Sequence, residues 1–336
     1  MRAALLKKIS VGIVVCTVGI VMGLANVTQA KTLTIYSGRN EKLIGPLIEK
    51  AKRDLGLDIK IRYGKTAQLA AALLEEGKNS RVDLFIAQDA GALGVVEQKH
   101  LTLKIPSKLL NKVNYRFRSP RGRWLGISGR VRTIDYNTKL VNKKDLPNSI
   151  WELTKPQWRD KVGWAPTNGS FQSFITGMTV LEGKQKTLQW LSAMRANGVK
   201  RYPKNTPIIN ALGRGEIHLG LVNHYYLERF KENSPDFPVE HHYTRQCPGA
   251  MVNVAGVAIM KTTDQQKDVE ALIYYLLKPA SQDYFAKKTY EYPLALGTGA
   301  FAKQIPLEKL NPPSINLSNL SDLGTTLELL QQAGVL

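Results

Sequence analysis

From Lys31 onward, short apolar and β-rich runs alternate with amphipathic helical stretches along the whole chain. This alternation is typical of an α/β protein with largely parallel sheets. The chain has 336 residues, which is about twice the usual length of one domain, so we expect two lobes. Hydrophobic residues make up 43% and charged residues 22%, and this ordinary globular composition predicts that most of the chain folds.

The same pattern predicts individual elements. The predicted strands are 32–36, 58–63, 82–87, 124–128, 132–136, 162–165, 216–222 and 252–260. The predicted helices begin with 41–55 and 66–76, another opens at 88–91, and the later ones are 171–181, 186–196, 207–212, 224–231, 263–277, 279–287 and 321–332. A polar or glycine-rich turn follows the strand ends near Tyr36, Ala87, Arg130, Ala165 and Val222. Because open α/β sheets bind ligands beyond the carboxyl ends of their strands, these turns predict one shared crevice.

Residues 1–30 carry the features of an export signal. A basic start precedes an apolar run from Ile9 to about Val27, and the small Ala30 stands before polar Lys31. We therefore predict a cleaved secretory signal peptide. The alternative is an uncleaved membrane anchor, because the apolar run approaches the length of a membrane span.

Charge, cysteine content and motifs narrow the function classes. The net charge of +20 favours anionic ligands, but the basic residues are dispersed and no nucleic-acid partner is predicted. Cleavage after residue 30 leaves Cys247 without a partner, so we expect a structural cysteine and no disulfide. Adjacent imidazoles in a strand diverge, so His241 and His242 indicate surface or structure rather than zinc. No nucleophile elbow, Walker A or His-Glu-x-x-His motif is present, and we expect no enzyme.

Two adjacent tyrosines mark the most informative stretch. Tyr225 and Tyr226 follow a predicted strand and open a predicted helix, where neighbouring side chains lie about 100° apart and both can face one cleft. As phenolates they are hard oxygen donors, suited to a trivalent hard cation such as ferric iron. The chain has a second pair, Tyr274 and Tyr275, among aliphatic residues in the middle of a predicted helix. We assign that second pair to the core.

A polar turn before the helix at 171–181 predicts an anion-binding site. Asn168, Gly169 and Ser170 stand where a helix N-terminus offers free N–H groups and a partial positive charge. The alternative is an ordinary helix cap. Asn205 and Asn223 can add amide donors, and Arg130 can add a guanidinium near the crossing between lobes.

Several motifs occur in an order that resembles a known family. They are Ile35-Tyr36-Ser37-Gly38-Arg39-Asn40-Glu41, the run from Asp83 to Leu93, Ser128-Gly129-Arg130, the run from Trp164 to Gln172, Asn223-His224-Tyr225-Tyr226 and Glu291-Tyr292-Pro293-Leu294. Together they look like a periplasmic ferric-iron-binding protein of an ABC importer, in the group that includes the ferric-binding and cyanobacterial iron-uptake proteins, the bacterial transferrins. The resemblance spans about Lys31 to the C-terminus.

The resemblance implies a bilobal periplasmic-binding-protein fold of type II, with two α/β lobes, crossing hinge strands and closure over the ligand. It implies an N-terminal lobe of 31–130 plus about 256–305, and a C-terminal lobe of 131–255 plus about 306–336. It further implies a monomer in the periplasm that delivers iron to an inner-membrane permease and its ATPase.

The resemblance also implies a ligand set. Tyr225 and Tyr226 match Fe(III) ligands, and a synergistic carbonate or phosphate would be held by the matching anion contacts Asn168, Gly169, Ser170, Asn205 and Asn223, with Arg130 as an addition. Some family members place a histidine at the position of Asn40 and a glutamate at that of Gln88, and this chain has neither. Tyr36 and Glu41 are further candidates in the cleft for the remaining coordination positions of the iron.

Two alternatives remain open from the sequence. The same scaffold could capture a small anionic solute without metal, as the asparagine and arginine turns suggest. An enzyme using the cleft is the other, and it has no recognisable catalytic set behind it.

Overall fold

The computed structural model describes residues 32–299 and 304–336, so the predicted signal peptide 1–30 lies outside the described residues. Lys31–Leu336 form one compact unit. Within the described ranges, no helix has both the length and the apolar character needed to cross a bilayer.

Strands and helices alternate as the sequence predicts. The strands are β1 (Leu33–Ser37), β2 (Ile59–Tyr63), β3 (Leu84–Ala87), β4 (Leu125–Asn137), β5 (Val162–Trp164), β6 (Lys200–Arg201), β7 (Leu219–Asn223), β8 (Val239–His242), β9 (Val252–Ile259) and β10 (Tyr292–Pro293). The α-helices are α1 (Glu41–Leu55), α2 (Thr66–Glu76), α3 (Ala90–Gln98), α4 (Ser107–Leu110), α5 (Gly169–Glu182), α6 (Lys184–Ala196), α7 (Asn205–Gly213), α8 (Tyr225–Asn233), α9 (Gln266–Leu276), α10 (Pro279–Tyr284), α11 (Leu307–Leu310) and α12 (Leu323–Gln332).

The predicted break in β4 is wrong. We expected two strands, 124–128 and 132–136, separated by Gly129 and Arg130. In the structure these two residues continue the ladder, opposite Val254 and Asn253 of β9. Because their backbone groups pair with β9, no turn forms and the strand runs unbroken for 13 residues.

Strand β4 joins two halves of one sheet, whose order is β2-β1-β3-β9-β4-β7-β5-β6. Up to Val131, β4 pairs with β9, and from Arg132 it pairs with β7. The predicted parallel pairs are present in both halves, as β1 with β2 and β3, and as β5 with β6 and β7. The crossing strands β4 and β9 are instead antiparallel to their partners. Each half-sheet with its helices makes one lobe; the lobe boundaries at about 130 and 255 stay a prediction.

A C-terminal segment crosses between the same lobes. Residues 317–321 form a 3-10 turn against α3, and α12 then packs on α5 and α6. A Cβ on Gly94 of α3 would lie 2.3 Å from the Ser318 carbonyl oxygen, so only glycine allows this approach. The buried Trp124 Nε1 donates to Ser318 Oγ at 3.0 Å and fixes the turn to β4.

An aromatic cluster fixes the start of α5. Trp164 at the end of β5, Phe171 and Phe174 on α5 and Trp190 on α6 are all at most 2% exposed. Their rings pack edge to face, with centroids 5.3 to 6.0 Å apart. Burial of each ring stabilises this lobe by about 1.5–3 kcal/mol or more. The polar turn at 166–170 is thereby held between a fixed strand and a fixed helix.

Candidate functional site

A cavity of ≈ 690 Å³ lies where strand ends and helix starts of both lobes meet. Its lining includes a residue at the N-terminus of each of five helices, namely Asn40 (α1), Lys65 (α2), Asp89 (α3), Gly169 (α5) and Tyr225 (α8). Helix N-termini present free N–H groups and a partial positive charge. Their convergence favours an anionic ligand or an anion bound together with a cation.

The tyrosine pair lies in this cavity. Tyr225 and Tyr226 are the first two residues of α8, and their ring centroids are 4.5 Å apart at 32°. Tyr225 is only 6% exposed, and Asn223 Nδ2 donates to its hydroxyl at 3.5 Å. Burial, and then the neighbouring Tyr226, raise the pKa of Tyr225 above its ordinary value, whereas Arg130 and Asn223 lower it. The phenol therefore stays protonated unless a bound cation compensates the charge.

His224 fixes the start of the helix that carries the pair. It is fully buried; its Nδ1 accepts from Val131 N at 3.2 Å and its Nε2 donates to the Tyr290 carbonyl at 2.7 Å. Burial, and then the charge of His241, lower the pKa of His224 to about 4, so the ring is neutral at neutral pH. The imidazole ties α8 to β4 and to the segment before β10, which sets where the phenols point.

Arg130 lies on the crossing strand and lines the cavity. It is 5% exposed, and one of its Nη atoms donates to the Gln88 carbonyl and to the Val254 carbonyl. Its buried Nε has no hydrogen-bond partner among the described residues. Burying a charged donor without a partner is costly, so this group is suited to an anionic ligand.

Two more arginines support the phenols. The guanidinium of Arg229 lies 5.0 Å from the ring centroid of Tyr225. Behind the cavity, Arg132 donates to Asn223 Oδ1 and to the Leu221 carbonyl, both at 3.3 Å. Burial lowers the pKa of Arg132 to about 10, while Tyr225 and Tyr226 oppose that shift. Asn223 itself does not line the cavity; it connects Arg132 to the hydroxyl of Tyr225.

The predicted anion turn forms the first turn of α5. Asn168 Oδ1 accepts from Ser170 N at 3.0 Å and from Ser170 Oγ at 2.6 Å. Nothing lies within 4 Å of a Cβ built on Gly169, so the backbone here is open to a ligand. Asn205 is fully buried and outside the lining, but its Nδ2 donates to Asn168 and Ser170 at 3.3 Å each. It therefore supports the turn rather than contacting the cavity.

Of the remaining predicted cleft residues, two line the cavity and two do not. Asn40 and Gln88 line the cavity together with the two tyrosines. Tyr36 and Glu41 do not belong to the lining. The Tyr36 hydroxyl donates to Glu76 Oε1 at 2.7 Å and accepts from Arg62 at 3.0 Å, so it is engaged away from the cavity.

Sequence reasoning missed several lining residues. These are Lys65, Asp89, Gln172, Ser173 and Asn253. Asp89 Oδ1 accepts from Ala92 N at 3.1 Å and caps α3. The end of β3 at Ala87 was a usable signal for Asp89, because the polar turn after a strand end faces the crevice. Asn253 follows no strand end, and no local sequence signal marks it.

Glu291 also lines the cavity, but its carboxylate already accepts hydrogen bonds from protein donors. Its Oε2 accepts from Arg39 at 2.6 Å and from Ser128 at 2.7 Å, and both charged partners are at most 2% exposed. Burial raises the pKa of Glu291, but Arg39 and then Arg130 more than offset it, so the pKa is lowered. Glu291 is thus an ionised structural group.

Other candidate residues lie outside the cavity. His241 pairs with Asp135 at 2.7 Å, His242 donates to the Pro147 carbonyl, and Cys247 is buried.

Our core assignment for Tyr274 is wrong: it is 45% exposed, whereas Tyr275 is buried. The ring of Tyr274 lies at the outer face of α9, where Lys112 and Lys278 approach it. Among the residues described, no cluster of three His, Cys, Asp or Glu side chains could hold a metal ion.

A family profile, curated relatives and solved structures agree on what this chain is similar to. The sequence profile of the bacterial extracellular solute-binding protein family matches residues 79–316. The "Fe(3+)-binding periplasmic protein" of Serratia marcescens is 27% identical over 309 residues, covering 90% of each chain. The "Iron uptake protein A1" of Synechocystis is 27% identical over 296 residues, covering 84% of this chain and 79% of its own.

Two solved structures are also similar. Iron-bound HitA from Pseudomonas aeruginosa has a TM-score of 0.83 and 29% identity, covering 90% of this chain and 99% of its own. The FutA (IdiA) protein of Trichodesmium, in complex with iron and citrate ligands, has a TM-score of 0.79 and 26% identity, covering 91% and 100%. The predicted bilobal α/β fold of a periplasmic binding protein is confirmed by these likenesses.

Proposed function

The chain belongs to the family of bacterial extracellular solute-binding proteins, and from that membership we propose that it captures ferric iron in the cavity between its lobes. Tyr225 and Tyr226 are the proposed ligands, both as phenolates. The observation that carries the proposal is the pairing of these two rings at 4.5 Å in a cavity surrounded by helix N-termini. Relatives named for Fe(3+) binding and iron uptake support the choice of metal.

The phenol oxygens in the cavity suit a trivalent cation. A buried phenol such as Tyr225 ionises only when a strong positive charge replaces its proton, and ferric iron is a hard acid that prefers such oxygen donors. Two phenolates leave one positive charge on the metal. An exogenous anion, carbonate or phosphate in the simplest case, would neutralise that charge and fill coordination positions.

We place the anion between the first turn of α5 and the crossing strand. Gly169 offers a backbone N–H group, and Arg130 offers a guanidinium that lines the cavity. Asn168 and Asn205 hold this turn in place, and Asn223 holds Tyr225. Asn40 and Gln88 border the ligand space from the other lobe.

Export and delivery complete the proposal. Residues 1–30 direct the chain to the periplasm, where it acts as a monomer. Bending of the crossing strands β4 and β9 closes the lobes over the ligand. The closed form then docks on an inner-membrane permease, whose ATPase partner drives import.

A second function has one observation in its favour. The cavity holds Arg130, Arg229 and Lys65 against Asp89, while Glu291 is neutralised by Arg39. This excess of positive charge suits a small anionic solute without metal. Iron dependence separates the two functions, because an anion binder needs neither the metal nor the phenolates.

The test is retention of iron by residues 31–336. The protein is loaded with ferric citrate, desalted and measured for bound iron, beside Tyr226→Phe and the matched control Tyr274→Phe, which alters an exposed tyrosine outside the cavity. We expect about one iron per chain in wild type and control. We expect at least about a hundredfold loss of affinity in Tyr226→Phe, since even an outer partner of a metal ligand is worth 10–100-fold. Equal retention in all three proteins would contradict the proposed function.

A further inference from the structure

Helix α2 presents an apolar face to the cavity. Ala67, Ala71 and Leu74 all line the cavity and are exposed, Leu74 by 37%. We call these three residues the α2 stripe. Their spacing of four and three places them on one face of the helix, while Leu69 and Leu73 bury another face in the core. The α2 stripe therefore borders the ligand space directly.

The α2 stripe leads away from the polar end of the cavity. Lys65 and Thr66, where α2 begins, lie among the polar groups, and Leu74 is eight residues further along the helix than Thr66. At 1.5 Å per residue, Leu74 lies about 12 Å further along the helix axis than Thr66. Leu323, itself 36% exposed, lines the same cavity from the C-terminal segment. The cavity thus has one polar and one apolar end.

Its volume exceeds that of iron with a small inorganic anion. Iron and one phosphate comprise six heavy atoms, which at roughly 30 Å³ for each water-sized group take about 180 Å³. The cavity holds ≈ 690 Å³, which lies in the range of sites for organic ligands. The excess space borders apolar side chains, where ordered water gains few hydrogen bonds.

The first lobe also provides few free donors for the metal. Glu291 is paired with Arg39, and Asp89 caps α3 through Oδ1. Asn40 Oδ1 accepts from Lys42 N at 2.9 Å and caps α1. The coordination positions beyond the two phenols are thus open to an accompanying ligand. A ligand with several oxygen donors on one small body suits these positions.

We propose that iron occupies this cleft as a complex with a small organic oxygen-donor ligand that carries an apolar ring, the ring lying on the α2 stripe. This inference rests on the proposed function and names the class of its anion. The ligand's oxygens coordinate the iron, and an ionised oxygen meets Arg130. The Arg130 side chain lines the cavity although it is only 5% exposed, and its charge suits that oxygen. Two alanines one turn apart give a flat surface, which suits a planar ring.

The probes are two ferric complexes, one with 2,3-dihydroxybenzoate and one with inorganic phosphate. The first carries adjacent phenolic oxygens, a carboxylate and a ring; the second has oxygens alone. Ala71→Asp places a charge in the middle of the α2 stripe. Gln68→Asp is the matched control, because it adds the same charge to an exposed position of the same helix outside the cavity lining.

We expect Ala71→Asp to weaken binding of the dihydroxybenzoate complex at least about tenfold, since the ring then buries a carboxylate. Binding of the phosphate complex should change less than about twofold, as should both complexes in Gln68→Asp. A third measurement, Tyr226→Phe with each complex, should show loss of both.

Other outcomes overturn one claim at a time. If Ala71→Asp weakens both complexes equally, the α2 stripe serves lobe closure and the inference is wrong. If wild type holds the phosphate complex but not the dihydroxybenzoate complex, the inference is wrong and the proposed function stands. If wild type holds iron in neither form, the proposed function itself fails. Binding of metal-free dihydroxybenzoate by Tyr226→Phe, lost in Ala71→Asp, would keep the α2 stripe as a ring site and contradict the role of iron.

Discussion

The two walls of the cavity are built from the same kinds of element but carry different side chains. Each wall consists of strand ends and the first turns of helices. The wall of the second lobe carries the phenols of Tyr225 and Tyr226 and the open turn at Gly169, all held by buried partners. The wall of the first lobe carries amides and the α2 stripe, and its buried charges are paired with each other. From this difference we expect the second wall to supply the chemistry and the first wall to select the shape of what is bound.

The largest expected effect concerns the charge on the first wall. Glu291→Gln leaves Arg39 buried without its carboxylate and should lower the free energy of unfolding by about 3 kcal/mol. Asp283→Asn, which removes a carboxylate from an exposed pair with Lys287, should cost less than about 0.5 kcal/mol. Urea denaturation measures both. If Glu291→Gln unfolds like wild type but loses iron, Glu291 is a ligand and the contrast between the walls breaks down.

The pH dependence of this effect has a definite sign. The folded-state pKa of Glu291 is lowered, so its stabilising contribution is present above the ordinary glutamate pKa and is lost as pH falls through the lowered value. The difference in stability between wild type and Glu291→Gln should therefore be full at pH 7 and shrink in acid. A difference that grows on acidification would contradict the assignment.

Arg130 lies on β4, between the two walls. Its replacement should have the next largest effect, on the affinity for ferric iron. Arg130→Gln removes a buried charged donor from the proposed anion, so affinity for ferric iron with either anion should fall about ten- to a hundredfold. Competition with citrate at fixed pH measures the change. Arg245→Gln, an exposed arginine outside the lining, is the control and should bind as wild type. Unchanged affinity in Arg130→Gln would move the anion elsewhere in the cavity.

A smaller effect is expected behind the second wall. Asn205→Ala removes two hydrogen bonds of 3.3 Å that hold Asn168 and Ser170, without removing a group from the cavity surface. Affinity should fall by about 1 kcal/mol, roughly fivefold. Asn205→Asp keeps the size and serves as the comparison. A loss as large as that of Arg130→Gln would mean that Asn205 contacts the ligand itself.

The smallest effects should belong to the amides of the first wall. Asn40→Ala and Gln88→Ala should each change iron affinity no more than about twofold, because neither removes a charge or a proposed ligand. Asn40→Ala should still lower stability by about 1 kcal/mol through the lost cap on α1. Calorimetric titration and thermal unfolding separate the two effects. A tenfold loss of iron affinity would show that the first wall also supplies chemistry.

The sequence predicts the second wall better than the first, for a physical reason. A helix start carries local signals, so Asn168, Gly169 and Tyr225 could be assigned from the residues around them. The α2 stripe has no such signal, since Ala67 and Ala71 are good helix formers anywhere, and only the tertiary fold brings them to the cavity surface. Tyr36 shows the converse error: it precedes a strand end, yet its hydroxyl donates to Glu76, and neither residue lines the cavity. The continuous β4 depends on pairing with β9, more than 120 residues away, which no local pattern contains.

The most direct test of iron capture by the second wall is the visible absorption spectrum of residues 31–336 after ferric loading. Phenolate bound to ferric iron gives a charge-transfer band, so wild type and Tyr274→Phe should be red or orange. Tyr226→Phe should lose or strongly weaken the band, and Tyr225→Phe with Tyr226→Phe should be colourless. A loaded but colourless wild type, or an unchanged band in the double variant, would contradict iron binding by these tyrosines.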